Sequence, residues 1–155
     1  MTITFIVNQV RKESAGYTTT ALALEMHQRG HTVYYAGVGD LVYQANGLVG
    51  AHVRQVPDRE FRSRHTLLEA VANADKQLTG ADGWDVLWLR NDPAADLEKR
   101  PWAQDAGLLF GQLAAQQGVL VLNEPAGMIK ASNKLYLQYF PESVRPKTLI
   151  TRNMD

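Results

Sequence analysis

Four short apolar runs recur along this chain, and segments with helical spacing separate them. A near-continuous run of β-branched, aromatic and aliphatic residues is typical of a strand covered on both faces. Gly30 and Gly118 are placed to end two of the intervening helices. This alternation predicts an α/β fold, a Rossmann-like open, mostly parallel sheet with right-handed crossovers and helices on both faces. The runs are ITFIV (3–7), HTVYYAG (31–37), DVLWL (85–89) and VLVLN (119–123), and the helical segments are 19–29, 66–78 and 106–114.

Two further segments depart from this alternation. Residues 41–43 and 51–56 flank the stretch ANGLVG, in which Asn46-Gly47 is typical of a tight turn, so a β-hairpin elaboration is expected there. The end of the chain predicts two short helices, a loop marked by prolines, and a strand over residues 148–151.

Length and composition narrow the class of protein. A chain of 155 residues fits one domain with a sizeable core. Its 16 basic and 16 acidic residues give a formal net charge of zero, so no excess of positive charge favours nucleic acid as a ligand. The lack of cysteine excludes disulfides and thiolate sites. The histidines are scattered without ligand spacing, so no metal site is expected. With neither a signal peptide nor a spanning segment visible, a cytoplasmic protein without membrane contact is expected.

Polar residues follow each predicted strand of the parallel sheet. Ligands of open α/β sheets bind beyond the carboxyl ends of the strands, so these residues are expected to converge on one edge. Simpler interpretations stay open: Asn123 as a cap of a helix that starts near Pro125, Asp92-Pro93 as a turn, and the threonines at 18–20 as a cap. No motif indicates a catalytic residue by itself. The polar segments are 8–12, 39–40, 90–93 and 123–125.

Three blocks of sequence, taken in order, resemble a known family. They are RKESAGYTTTALALEMHQRGHTVYYAGVGDL, DVLWLRNDP and GVLVLNEPAGMIKASNKLYLQYFPESVRPKTLITRN. Together they resemble the amino-terminal, pre-ATP-grasp part of bacterial glutathione synthetases, a region shared with ribosomal-protein glutamate ligases of the ATP-grasp superfamily. The resemblance implies a pre-ATP-grasp domain over residues 1–126 and the start of an ATP-grasp domain over 127–155.

The resemblance also implies an activity and a set of site residues. Enzymes of this family join γ-glutamylcysteine to glycine with ATP and Mg²⁺ through an acyl phosphate. By this resemblance, Arg90 contacts a carboxylate of the peptide substrate, Asn91 and Ser14 line the acyl-substrate side, and Lys134 reaches the nucleotide phosphates. A guanidinium suits the first role because it binds carboxylates in a bidentate manner.

Other parts of the family's site have no counterpart in this sequence. The metal ligands, the adenine pocket and the glycine-rich lid of the family would follow residue 155. The chain alone is therefore expected to be inactive and to bind ATP poorly, and a homo-oligomer is possible by analogy. An exposed apolar surface is expected around Leu135, Tyr136 and Leu149, where a following domain would pack.

Two departures from the family pattern keep other functions open. The family loop RKDPP reads RNDPA here, and Glu124 stands where many relatives carry a basic residue. One alternative is a ligase that adds an amino acid to another peptide or to a protein carboxylate. The other is a stand-alone, non-catalytic α/β binding or assembly module.

Overall fold

The computed structural model describes residues 1–151 and 153, and its centre is a seven-stranded mixed sheet. The strand order is β3-β4-β2-β1-β6-β7, and β5 pairs with β4. The strands are β1 Thr2–Val7, β2 Thr32–Gly37, β3 Leu41–Tyr43, β4 Val49–Gln55, β5 Lys76–Gly80, β6 Val86–Leu89 and β7 Leu120–Leu122, and the α-helices are α1 Thr18–Gln28, α2 Arg64–Asn73, α3 Ala106–Gln116 and α4 Pro125–Ala131.

Four neighbouring strands, β2, β1, β6 and β7, are parallel, which confirms the α/β prediction. Alternation along β1 directs Phe5 to one face and Ile6 to the other, and both are fully buried. Phe5 stacks on Tyr35 of β2 and on Trp88 of β6, with ring centroids 5.6 and 5.3 Å apart. This aromatic row packs across the three central strands, at positions that are paired in the backbone register.

Helices cover both faces of the sheet, as the apolar runs predict. Helices α1 and α2 pack on the Phe5 face through residues such as Ala23 and Leu67. Helices α3 and α4 cover the Ile6 face through Ala114 and Met128. Two predicted helix ends are confirmed by glycines with left-handed backbone, Gly30 at φ 79° and Gly118 at φ 90°.

The antiparallel part of the sheet is larger than the predicted hairpin. Strands β3 and β4 form that hairpin around Gly47, whose φ is 84°. The prediction of a helix through Leu78 is wrong, because α2 ends at Asn73 and the following residues form β5 along β4. The backbone turns to extended geometry at Ala74. Pairing with the open edge of β4 then satisfies the backbone of residues 76–80, which local helical spacing does not reveal.

Two helix caps differ from the sequence interpretation. Helix α1 has Tyr17 as its N-cap, and the Thr20 hydroxyl instead donates to the Ser14 carbonyl at 2.8 Å. Helix α4 begins at Pro125, as predicted, but its cap is Glu124 and not Asn123. The Glu124 carboxylate accepts the two backbone N–H groups at 126 and 127, at 2.9 and 2.5 Å. A charged carboxylate at the start of a helix is a stronger hydrogen-bond acceptor than a neutral amide. This explains why Glu124, and not Asn123, caps α4.

The last described segment lies outside the sheet. After α4 the chain forms 3-10 helices over Lys134–Tyr139 and Glu142–Val144. The predicted strand at 148–151 is wrong: these residues have no strand structure, and none of the seven described strands pairs with them. Of the three residues of the expected apolar surface, Leu135 and Leu149 are exposed, at 54% and 87%, whereas Tyr136 is half-buried and packs on the rings of Tyr139 and Phe140. No helix in the described part of the chain has the length and apolarity that crossing a membrane requires.

Candidate functional site

The carboxyl ends of the four parallel strands meet at one edge of the sheet, and the predicted polar segments lie there. The segment after β1 forms a short 3-10 helix, Val10–Lys12, and the segment after β2 forms another, Val38–Asp40. The exit from β6 leads into a 3-10 helix over Pro93–Asp96, which Asp92 caps by accepting the Ala94 N–H at 2.9 Å. The turn interpretation of Asp92-Pro93 is therefore close to the observed geometry.

Asn8 connects the first and third of these exits. Its carboxamide oxygen accepts the Asp92 N–H at 2.8 Å, and its Nδ2 donates to the Asp92 carbonyl at 2.7 Å. Just before this point, the Arg90 N–H donates to the Ile6 carbonyl at 2.8 Å. The Asn8 side chain thus continues the pairing of β1 and β6 beyond the ends of both strands.

A buried ion pair, Asp96 with Arg100, holds Asn8 through hydrogen bonds. Asp96 is 3% exposed and accepts from Arg100 Nε at 3.0 Å and Nη2 at 2.6 Å. Its second oxygen accepts from Asn8 Nδ2 at 2.7 Å, and Arg100 also donates to the Asn8 carbonyl at 3.0 Å. Such a closed set of charge-assisted hydrogen bonds restrains the side chains of Asn8 and Arg100. The sequence did not predict Asp96 and Arg100 as part of the site, because they are far from Asn8 in the chain and no local pattern indicates the contact.

A cleft of about 380 Å³ opens at this edge, beside the ends of β1 and β2. The predicted segments at 8–12 and 39–40 do converge here, since both contribute lining residues. Strands β4 and β5 and the loop before α3 supply further cations that sequence reasoning missed. We refer to this space as the basic cleft, and its charged and aromatic lining consists of Arg11, Asp40, Arg54, Lys76, Arg100 and Trp102.

Arg90 lies at the exit of β6, on the face of the sheet that α1 covers. Its Nε donates to the Thr19 hydroxyl at 3.1 Å, which fixes the guanidinium against the first turn of α1. The neighbouring carboxylate is Glu13, whose Oε2 is buried and makes no hydrogen bond within the described residues. Burial raises the pKa of Glu13 to about 7, and the positive charge of Arg90 offsets part of that rise.

Comparison with known proteins decides the family. The sequence model of the family "Prokaryotic glutathione synthetase, N-terminal domain" matches residues 1–128. The chain belongs to this family. Similar proteins include the glutathione synthetases of Gloeobacter violaceus (31% identity; 100% of this chain and 46% of that protein), Pseudomonas syringae pv. tomato (33%; 89% and 40%) and Escherichia coli strain K12 (30%; 86% and 38%). The chain therefore spans less than half the length of these relatives.

The three residues that the resemblance to glutathione synthetases assigns to the substrate, Arg90, Asn91 and Ser14, do not all lie together in the structure. Asn91 follows Arg90 but points to the other face, where it is 6% exposed and lies against Gly107 of α3. Its Nδ2 makes no hydrogen bond within the described residues. Ser14 is exposed and accepts the Gly16 N–H at 3.2 Å. Ser14 and Glu13 line a second cavity, of about 360 Å³, against α2.

The remaining predicted residues of this glutathione synthetase domain lie further along the chain. Asn123 reaches back to the Leu89 carbonyl, to which its Nδ2 donates at 3.4 Å. Lys134 begins a 3-10 helix that Asn133 caps by accepting the Leu135 N–H at 2.9 Å. The Lys134 side chain is exposed and has no ion pair or hydrogen bond in the described part of the chain. The described residues contain no group of three or more His, Cys, Asp and Glu side chains that could hold a metal ion.

Proposed function

We propose that this chain is the acyl-substrate-binding domain of an ATP-dependent carboxylate–amine ligase of the glutathione synthetase type. The reaction would join γ-glutamylcysteine to glycine. The observation that carries the proposal is Arg90, which occupies the carboxyl end of a central parallel strand within the segment that matches the family. Ligands of open α/β sheets bind at such ends.

The bonding of Arg90 leaves it able to bind a carboxylate. Only Nε has a hydrogen-bond partner, Thr19, among the described residues, so the two terminal nitrogens keep their donors for a ligand. A guanidinium fixed at Nε presents those donors in a planar fork that matches the two oxygens of a carboxylate. We assign Arg90 to a carboxylate of γ-glutamylcysteine on this ground.

Glu13 competes with the substrate for Arg90. Its pKa of about 7 means that a sizeable fraction of this side chain is protonated at neutral pH. A substrate carboxylate at Arg90 would favour the neutral form of Glu13 still further, because two carboxylates beside one cation repel each other. Ser14, in the same loop, would line the substrate on the side of α2. Asn91 would act indirectly, by packing against α3 and fixing the backbone that follows Arg90.

The nucleotide side of the site would lie toward the end of the chain. We propose that residues 1–126 form the substrate domain and that 127–155 begin the nucleotide-binding part. ATP, when bound, would supply the phosphoryl group that activates the carboxylate. Lys134 is exposed and unpaired in the described part of the chain, so its ammonium has free donors for phosphate oxygens. The proposed ATP- and Mg²⁺-dependent activity would be that of a protein with the length of these relatives.

The test is an ADP-release assay on the native gene product that contains these residues. It receives ATP, Mg²⁺ and γ-glutamylcysteine, with either glycine or glutamate as the acceptor. Glycine-dependent ADP release with formation of glutathione is expected. Release with glutamate alone would establish the related ligase activity in its place, and no acceptor-dependent release would overturn the proposal.

A substitution then tests the role of Arg90. Arg90→Lys keeps the charge but loses the planar fork, and we expect the KM for γ-glutamylcysteine to rise about tenfold while the KM for ATP changes little. Arg29→Lys is the matched control, because Arg29 is exposed and its one side-chain partner among the described residues is Glu25, one helical turn away. An unchanged KM for γ-glutamylcysteine in Arg90→Lys would remove Arg90 from the substrate site.

A further inference from the structure

The basic cleft contains more positive charge than its own carboxylates neutralise. Two of its four cations form ion pairs: Arg100 with the buried Asp96, and Lys76 with Asp40. The other two, Arg11 and Arg54, have no carboxylate partner in the described part of the chain. Arg54 donates from Nη1 to the Ala74 carbonyl, which positions the group without cancelling its charge.

These two uncompensated guanidinium groups come from different elements. Arg11 lies in the 3-10 helix after β1, and Arg54 lies in β4, opposite Tyr35 of β2. The Arg11 guanidinium has its whole fork of donors for one carboxylate, and Arg54, whose Nη1 donates to the Ala74 carbonyl, keeps Nε and Nη2 for another. A single inorganic ion would leave most of a 380 Å³ space empty, whereas an organic molecule of a few carbon atoms fits it.

The rest of the wall suits the carbon skeleton of such a molecule. Trp102 is 61% exposed, and its indole closes one side of the cleft. The Arg100 guanidinium lies 5.7 Å from the centre of this ring, and a β-carbon at Gly39 would be 3.1 Å from its edge. The ring is therefore held in place, and it offers an apolar face between the two ends of the cleft.

We propose that the basic cleft binds a small organic dicarboxylate, with one carboxylate on Arg11, the other on Arg54, and the hydrocarbon part against Trp102. Arg90 does not line this cleft, but Arg11 also lines the second cavity beside Glu13 and Ser14, so the cleft adjoins the site in the proposed function without including Arg90. The same chemistry has two sources, a free dicarboxylic acid or a peptide with two carboxylates. The inference therefore stands whether or not the chain serves a ligase.

Calorimetric titration of the 155-residue chain with glutarate tests the inference, and butyrate and inorganic phosphate serve as comparison ligands. Saturable glutarate binding is expected, about tenfold tighter than either comparison ligand. Quenching or enhancement of Trp102 fluorescence should follow the same curve and be lost in Trp102→Phe. Glutarate that binds no tighter than butyrate, or no saturation up to about 10 mM, would overturn the proposal.

Variants locate the site. Arg11→Ala, at an exposed position, is expected to weaken glutarate binding about tenfold without changing the thermal unfolding midpoint. Arg54→Lys should weaken it as well while keeping the charge, and Arg29→Ala, outside the cleft, should leave it unchanged. Equal affinity in Arg11→Ala and the unmodified chain would contradict the inference.

Competition identifies the source of the ligand. If γ-glutamylcysteine displaces glutarate, the cleft takes the peptide. If glutarate binds and γ-glutamylcysteine does not compete, the cleft takes a separate dicarboxylic acid. Both results support the dicarboxylate site, and the second does so even if the ADP-release assay fails.

Discussion

The side chain of Asn8 pairs with the backbone of Asp92 in both directions, with bonds of 2.8 and 2.7 Å. The side-chain amide of Asn8 thus adds one more pair of hydrogen bonds to those that join β1 and β6. Because Asn8 Nδ2 also donates to the buried Asp96, the same residue joins the β6 exit to the Arg100 ion pair. One amide therefore links the exits of β1 and β6 to the Asp96–Arg100 ion pair.

Replacing Asn8 with alanine should lower the free energy of unfolding by about 2–3 kcal/mol, because several hydrogen bonds are lost and Asp96 loses a donor. Urea denaturation measures the change. Asn73→Ala is the control, since Asn73 is exposed and its side chain bonds, within the described residues, to the Glu69 carbonyl alone; its effect should stay within about 0.5 kcal/mol. Equal effects of the two variants would show that the Asn8 network adds nothing to stability.

Glu13 should make the chain less stable as the pH rises. Its folded pKa, about 7, lies above the value of 4.5 expected for the unfolded chain. The folded state therefore binds the proton more tightly, and the stabilisation from the neutral form is complete below pH 4.5 and is lost as the pH rises through 7. Glu13→Gln keeps the neutral form at every pH.

We expect Glu13→Gln to match the unmodified chain at low pH and to exceed it at alkaline pH by about 1–2 kcal/mol, after allowance for solvent screening. Urea unfolding of both proteins across this pH range measures the difference, and other titrating groups cancel in the comparison. A constant difference at all pH values would show that Glu13 titrates normally.

Gly107 leaves room for the buried Asn91. A β-carbon at position 107 would lie 2.5 Å from Asn91 Oδ1, so Gly107→Ala should destabilise the fold by about 1–3 kcal/mol despite the better helix propensity of alanine. Gly83→Ala is the control, because a β-carbon there meets nothing within 4 Å. Thermal unfolding compares them. The second substitution Asn91→Ala should recover part of the loss in Gly107→Ala; a purely additive result would disprove the clash.

Gln117 ties the end of α3 to the β3–β4 hairpin. Its side chain accepts the Val49 N–H at 2.9 Å and donates to the Gly47 carbonyl at 2.9 Å. Gln117→Ala should speed hydrogen exchange at the Val49 amide and lower stability by about 1–2 kcal/mol. The adjacent Gln116 is exposed, so Gln116→Ala should change neither quantity. Unchanged exchange at Val49 in Gln117→Ala would show that this contact does not hold the hairpin.

The parallel half of the sheet could be predicted because its strands are buried on both faces, which leaves an apolar run in the sequence. Strand β5 could not, since Lys76–Gly80 is largely exposed and depends on the open edge of β4. The opposite error occurred at 148–151, where a strand-like sequence has no strand beside it among the described residues. Strand formation at the edge of a sheet depends on the partner as much as on the segment itself.

The candidate site likewise could be predicted in part. The position of Arg90 at a strand exit follows from the apolar run before it and from the family resemblance. The basic cleft is not, because Arg54 and Lys76 reach it only through the antiparallel pairing of β4 and β5. Alternation also placed Arg90 and Asn91 on opposite faces, which follows from the period of two along an extended chain. The sequence alone did not show that α3 buries Asn91.

The most direct test of the account is an NMR titration of the ¹⁵N-labelled chain with γ-glutamylcysteine. We propose that the carboxyl edge of the parallel sheet binds γ-glutamylcysteine. Saturable shifts are predicted for the Arg90 side chain and for backbone amides of residues 8–14 and 90–92, with little change at the opposite edge around His31. Shifts centred on that opposite edge, or no saturable shift at Arg90, would contradict the claim.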